Sequence, residues 1–334
     1  MSGWREEINR IANSPLSSKI GTELISTADA AGALRATLQM SSSANLAHKA
    51  TVFDELKYAY ILAGEEYEFC DLLTNSSCRR LYERLAIALE FLGNKLSQHN
   101  LIPATDLLRI SEFIRTGKEI YLQDATFSDT CSTLAQQVNN VLDIAYNECS
   151  KQHWLIKVAV ICCGIGFNKN IEPLALYALC SVLANQGDMF TKLPFSVCTY
   201  LLFEGSFEGQ AYASDEEQSI QAFLRHLKHS FVGQTILLND IEAESKNIRE
   251  KIRKIIPRDS VRAIENILKT KLSFTGAEIQ NSTHVTYRTA FEYICRLKNA
   301  GIIDSVRIGK ENVYINTQIL SKVERGLSDG TEKS

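Results

Sequence analysis

The residue types best suited to chemistry in this sequence are nine cysteines. Two cysteines that bind zinc or form a catalytic dithiol are commonly separated by two residues, and no pair here has that spacing. Most lie in apolar runs, which favours reduced, buried thiols over a disulfide framework or a zinc site, and predicts a reducing, cytoplasmic environment. The cysteines are Cys70, Cys78, Cys131, Cys149, Cys162, Cys163, Cys180, Cys198 and Cys295.

A second candidate is the basic segment that contains Arg225, His226, Lys228 and His229. It is similar to the Arg–His pair of helical ribonucleases, but the usual spacing of that pair is wider, so a solvated basic helix face is favoured. The sequence contains no Gly-x-Ser-x-Gly elbow, no P-loop and no Gly-x-Gly-x-x-Gly turn. We therefore predict no metal, no cofactor and no catalytic residue in these segments.

The elements that would position these residues are mostly helical. The chain has 334 residues, 45% hydrophobic, with only five prolines and 17 glycines, which is an ordinary composition for a globular protein. Through residues 1–256, apolar residues recur at three- and four-residue spacing, which predicts a bundle of amphipathic helices. The longest apolar run, Val158 to Phe167, is too short to span a membrane, so no membrane partner is expected.

The pattern changes at Pro257. We predict a helix over 261–271 capped by Ser260, a short helix over 275–279, and a helix over 286–299. Two alternating segments around a Gly309-Lys310 turn then predict a β-hairpin. This order is typical of a winged helix-turn-helix domain over 257–320, followed by a polar, flexible tail over 321–334.

Charge also divides at this boundary. Residues 251–320 contain 12 basic and six acidic residues, whereas residues 1–250 carry a net charge of −9. A basic module on an acidic body favours duplex DNA as a partner, and a purely structural or dimer-forming winged helix is the alternative. The residues that we expect to contact DNA are Thr286, Tyr287, Arg288, Arg307 and Lys310.

Short motifs in this module are Thr289-Ala290, Gly301-Ile302-Ile303 and the stretch 308–316, which reads Ile-Gly-Lys-Glu-Asn-Val-Tyr-Ile-Asn. Together they resemble the winged-helix end of many Fic-family proteins. The family order extends over roughly residues 20–320, and the helix 154–164 stands where the family has the helix before its catalytic loop. The resemblance implies a Fic-like helical bundle followed by a winged helix. It also implies the family's activity, AMP transfer from ATP to a protein hydroxyl.

The family's catalytic loop is degenerate in this register. Ile165 stands where the family has its histidine base, and Lys169 stands where it has the acidic Mg²⁺ ligand. The positions of the phosphate-binding glycines and arginines fall on residues such as Asn170, Glu172 and Leu176, and Phe167 alone matches the family loop. The inhibitory glutamate of the family is replaced as well, by Leu46.

These departures predict a catalytically silent Fic-like protein, a binding or regulatory module with duplex DNA or a protein as its partner. Two alternatives stay open. One is an atypical nucleotidyltransferase that uses other residues of the same groove. The other is a protein-interaction scaffold that adds a peptide strand at 120–122, where the family has its target-docking flap. A homodimer is compatible with either reading.

Overall fold

The computed structural model describes residues 18–65, 67, 75–99, 101–118, 132–166, 168–185, 193–205, 216–308 and 310–328. These residues form thirteen α-helices and one three-stranded antiparallel sheet, which confirms the prediction of a mostly helical protein. Within them, no helix combines the length and the apolar character needed to cross a lipid bilayer.

Nine of these helices lie in the described residues before Pro257, and we call this part of the chain the body. A π-helical turn at Ile144–Glu148 follows the fifth helix. The helices are α1 (Ser18–Met40), α2 (Ala44–Leu62), α3 (Ser76–His99), α4 (Ala104–Thr116), α5 (Ser132–Asp143), α6 (Trp154–Ile165), α7 (Pro173–Ala184), α8 (Cys198–Gly205) and α9 (Glu216–Ile255).

Helix α7 lies at the centre of the body. Every residue between Leu174 and Ala184 except Val182 is buried, because α2, α3, α4, α6 and α8 pack around it. A helix that is apolar on all sides can only be stable in such an interior position. Helix α6 is similarly apolar, and His153 caps its first turn by accepting a hydrogen bond from the backbone N–H of Leu155 at 3.3 Å.

Helix α9 is the longest element, with 40 residues and a length of about 60 Å. Its buried face contacts α1, α2 and α6. Two polar contacts fix α1 beside it: Arg225 pairs with Glu23 at 2.8 Å, and the Thr27 hydroxyl donates to the carbonyl of Leu224 at 3.0 Å. The amphipathic repeat of α9 therefore provides one side of the body core.

Glu242 of α9 connects that helix to the start of α2. Its Oε1 accepts hydrogen bonds from the Ser41 hydroxyl at 2.6 Å, the Ser42 hydroxyl at 3.2 Å and the Ser43 N–H at 3.0 Å. Partial burial raises the pKa of Glu242, but the three serine hydrogen bonds outweigh it and leave the pKa below its usual value. A carboxylate in this place satisfies donors at a helix N-terminus, where negative charge is favourable.

The C-terminal module, residues 258–328, starts after the break at Pro257. Its sheet has the order β1-β3-β2, with both pairs antiparallel. In β2 and β3, Ile303 pairs with Asn316 and Ile308 pairs with Glu311. The elements are α10 (Arg258–Thr270), β1 (Ser273–Thr275), α11 (Gly276–Thr283), α12 (Tyr287–Asn299), β2 (Ile303–Ile308), β3 (Glu311–Asn316) and α13 (Thr317–Ser328).

Two local expectations differ from the structure here. Ser260 does not cap α10 but lies buried within it, 3.3 Å from the Tyr293 hydroxyl, because the helix begins earlier, after Pro257. The chain before α11 forms the short strand β1, which pairs with β3. Thr275 then opens α11 through a reciprocal capping box with Glu278.

The predicted tail overlaps helix α13. Residues 321–328 are helical, and Ile319, Leu320 and Val323 are buried, since α13 packs back against α9. Lys251 of α9 donates to the side-chain carbonyl of Gln318 at 3.3 Å. Apolar residues at three- and four-residue spacing therefore order this segment despite its polar composition. Residues 329–334 lie outside the described residues.

Replacing Glu242 by alanine should lower the free energy of unfolding at neutral pH by about 1 kcal/mol, because the donors at the start of α2 lose their acceptor. A depressed pKa means that this contribution is complete above the unfolded value of about 4.3 and is lost as the pH falls through the folded value. Urea denaturation at a series of pH values measures it. Glu250→Ala, an exposed site on the same helix, is the control. A pH-independent difference between Glu242→Ala and wild type would contradict the assignment.

Candidate functional site

The loop 166–172, between α6 and α7, contains most of the positions at which the predicted resemblance places a catalytic loop. Ile165 and Ile171, at its two ends, are 3% and 4% exposed, and Leu176 in the first turn of α7 is 0% exposed. Lys169 and Asn170 at its tip are exposed. Phe167 lies outside the described residues. Ile165, Ile171 and Leu176 thus lie in the interior, whereas Lys169 and Asn170 face solvent.

Four backbone N–H groups of this loop donate to acceptors within the protein. The Asn168 and Ile171 N–H groups donate to the carbonyls of Ile165 and Asn168, at 3.1 and 2.9 Å. The Asn170 N–H donates to the side chain of Asn168 at 3.0 Å. The Glu172 N–H donates at 2.6 Å to the hydroxyl of Ser111, which α4 supplies. A phosphate bound by backbone N–H groups needs those donors unoccupied, and these four are occupied.

The beginning of the loop is also closely packed. A Cβ atom added to Gly166 would lie 2.4 Å from the carbonyl oxygen of Cys162 and 2.8 Å from Leu201 Cδ2. Leu176 Cδ2 would be 3.2 Å away. The local path of the chain is therefore fitted to glycine.

Glu172 precedes α7 and is partly buried. Burial raises its pKa and the carboxylate of Glu112 adds to the increase, whereas the nearby guanidinium of Arg115 opposes it. Arg115 itself forms an ion pair with Glu112. The acidic side chain and the pairing of the adjacent arginine make this end of the loop unfavourable for an anionic ligand.

Leu46, the residue at which the predicted resemblance places an inhibitory glutamate, is 0% exposed and belongs to the core. The acidic residue at the start of α2 is instead Glu242, which α9 supplies. It binds serines of the protein itself.

A buried carboxylate that the sequence analysis did not identify lies at the start of α8. Glu55 of α2 accepts hydrogen bonds from the N–H groups of Val197, at 3.1 Å, and Cys198, at 2.8 Å, and from the Ser196 hydroxyl. Burial raises the pKa of Glu55, and these hydrogen bonds hold part of that increase back. Its partners are all groups of the protein, so it serves as a cap for α8. The local sequence of α2 contains no signal of this role.

The basic segment of α9 does not form a paired site. Arg225 is exposed and bound to Glu23 of α1, whereas His226 is half-buried with its Nε2 3.3 Å from the carbonyl of Ser196. Burial lowers the pKa of His226 to about 4, and His229 contributes to that decrease, so this imidazole is neutral at physiological pH. Arg225 and His229 are exposed, whereas His226 and Lys228 are partly buried, so only part of the segment is a solvated basic face.

The described cysteines are free thiols. Cys162 and Cys180 face each other in the core, with their Sγ atoms 3.4 Å apart, and burial raises the pKa of Cys162 well above its usual value. Such thiols are protonated and act as small apolar side chains. Within the described residues, no group of three or more His, Cys, Asp or Glu side chains is arranged to hold a metal ion.

The residues predicted to contact DNA all lie on the surface of the C-terminal module. Thr286 caps α12 by accepting from the Thr289 N–H at 3.3 Å. Tyr287 is 68% exposed at the first position of that helix. Arg288 follows it, while Arg307 of β2 and Lys310 of the hairpin turn are exposed on the wing. The first three are adjacent at one end of α12, and the last two share one hairpin.

The Arg288 side chain is 92% exposed, yet it is not free. Its Nε lies 3.6 Å from Glu292 Oε1, one turn further along α12. An exposed pair of this kind contributes little to stability. A phosphate can therefore replace Glu292 as the partner of Arg288 at small cost.

No protein-family model and no curated protein matches this sequence.

Replacing Gly166 by alanine should lower the free energy of unfolding by about 1–3 kcal/mol, because the added methyl group would meet the Cys162 carbonyl and Leu201. The matched control is Gly93→Ala in the middle of α3, where a Cβ would meet nothing within 4 Å. That substitution should raise the free energy of unfolding by about 0.5–1 kcal/mol. Urea denaturation of both variants measures the contrast, and equal effects would show that the loop is not tightly packed.

Proposed function

We propose that this protein is a catalytically silent Fic-like protein that binds duplex DNA through a C-terminal winged helix. The main observation in favour of a catalytically silent protein is that these N–H groups of the loop between α6 and α7 are already hydrogen-bonded within the protein. The Glu172 N–H is bound to Ser111, and those of Asn170 and Ile171 are bound to Asn168. A nucleotide phosphate would have to displace all of these hydrogen bonds, since a backbone N–H makes one strong bond at a time.

The side chains of the loop support the same proposal. Transfer of AMP to a hydroxyl requires a general base, and Ile165 has no proton acceptor. It also requires groups that stabilise the charge on the phosphates, and Leu176 is apolar and 0% exposed. Loss of a single such group typically costs two to three orders of magnitude in rate.

The proposal of a winged helix depends on the order of elements from α10 to β3. The module begins with helix α10 and the short strand β1, and the helices α11 and α12 follow, joined by a tight turn. The hairpin of β2 and β3 comes next. Its second strand, β3, also pairs with β1, which gives the sheet order β1-β3-β2. The turn between the two helices contains His284 in the left-handed conformation, with φ of 55°. This arrangement is what a helix-turn-helix with a β-wing requires.

Duplex DNA is the proposed partner because the module is basic and because its candidate contact residues are exposed. Residues 251–320 contain twice as many basic as acidic residues, which gives the attraction for phosphates that non-specific binding needs. Tyr287 and Arg288 present an aromatic ring and a cation at the start of α12, and Lys310 presents a second cation in the hairpin turn. We assign phosphate contacts to these cations, since cations in this position fix a protein on the duplex.

Isothermal titration calorimetry with ATP and Mg²⁺ tests the silent half of the proposal. We expect no saturable heat at millimolar nucleotide, and no mass increase of one AMP unit when the protein is incubated with ATP and analysed by mass spectrometry. Saturable binding or such an adduct would overturn the silent reading and favour an atypical nucleotidyltransferase.

Filter binding to duplex DNA at several salt concentrations tests the proposal that the winged helix binds DNA. We expect binding at low salt, with the slope of log Kobs against log salt less steep by about 0.9 for each phosphate contact that is removed. Arg288→Ala with Lys310→Ala should therefore reduce both the affinity and the slope. The control is Lys19→Ala with Lys151→Ala, which removes the same charge from exposed positions of the body. Undetectable binding at low salt, or equal effects of the two double variants, would reject the DNA-binding surface.

A further inference from the structure

A cluster of cations surrounds the junction of α9 and α10. Arg253 and Lys254 lie in the last turn of α9, and Arg258 and Arg262 lie one turn apart at the start of α10. All four are exposed. We call these four residues the basic corner.

The four side chains have no partner that would neutralise their charge. Within the part of the chain that the structure describes, none of them forms an ion pair or a side-chain hydrogen bond, whereas five other cations of α9 and the module are paired with acidic residues. They are Arg249 and Lys269 with Glu265, Lys271 with Glu278, Arg288 with Glu292, and Lys298 with Asp304.

Acidic residues do not cancel the charge of the corner. The span 250–262 contains five basic and two acidic residues, Glu250 and Asp259, both exposed. A third acidic residue near the junction, Glu265, is buried and forms ion pairs with Arg249 at 3.0 Å and Lys269 at 3.1 Å. The positive potential of the corner therefore reaches the solvent, where a polyanion can meet it.

The corner adjoins the proposed recognition helix. Arg296 of α12 donates from Nη1 to the carbonyl of Ile255, immediately before the junction, at 2.9 Å. Arg288 lies eight residues earlier on the same helix, about 12 Å along its axis. Both ends of α12 therefore carry cations. Arg288 lies at the start of the helix, and Arg296 lies near its end, beside the basic corner.

We infer that the basic corner is a second contact for the phosphate backbone of duplex DNA, which extends the footprint of the winged helix beyond its tip. The inference rests on the proposed function. Four exposed cations on two successive helices suit the extended array of phosphates that duplex DNA presents. Such contacts are independent of sequence and strengthen binding uniformly.

The test is the salt dependence of duplex binding by the full chain in which all four corner residues are replaced by glutamine. We expect the slope of log Kobs against log salt to become less steep by about 0.9 for each phosphate that the variant no longer binds, so by about two to four in total. The preference among duplex sequences should not change. The control variant replaces four exposed lysines of the body by glutamine, with the same change in net charge. They are Lys19, Lys118, Lys151 and Lys169.

The possible results separate this inference from the proposed function. If the corner variant keeps the wild-type slope while Arg288→Ala with Lys310→Ala reduces it, the corner contact is wrong and the winged-helix surface stands. If the corner variant alone reduces the slope, the corner contact stands and the tip surface is wrong. Equal reductions of the slope in the corner and control variants, or no binding by the wild type, overturn the inference. A variant in which each corner arginine is replaced by lysine and the corner lysine by arginine keeps the charge, so it should retain the wild-type slope.

Discussion

Along α9, buried side chains from Ile220 to Ile252 lie on one face, and contacts with this helix join the two parts of the chain. Helices α1, α2 and α6 pack against it in the body, and α10, α12 and α13 pack against it in the module. Since α9 is continuous through 40 residues, the segments on either side of Pro257 have a common core element. A helix of this length is stabilised mainly by such packing and not by its intrinsic propensity.

Three acidic side chains of this fold bind helix starts or cations of the protein itself. Glu55 binds the start of α8, Glu242 binds the start of α2, and Glu265 is held by two cations. Backbone groups of the loop between α6 and α7 also find partners within the protein, since the hydroxyl of Ser111 accepts a hydrogen bond from the N–H of Glu172. The hydrogen-bonding capacity of these particular groups is therefore taken up by partners within the protein.

The sequence predicted those features that depend on neighbouring residues. The repeat of apolar residues indicated the helices, Pro257 marked the break after α9, and the turn around Lys310 placed the hairpin. Features that depend on distant partners could not be read from it. Glu55 meets Val197 across 142 positions, and the three residues of β1 are too few to show alternation until β3 pairs with them. In the candidate site, the apolar substitutions were visible, but the contribution of Ser111 from α4 was not. The polar composition after Ser321 concealed the buried Val323 of α13.

The return of α13 to α9 has a consequence for synthesis on the ribosome. The surface of α9 around Lys251 emerges well before Gln318, its partner in α13. At roughly 5–20 residues per second, the intervening chain takes several seconds to appear. During that time, apolar residues such as Ile248 and Ile252 lack their final cover from α13. The nascent chain therefore passes through a state in which its longest helix is partly exposed, and completion of the module depends on a late tertiary contact.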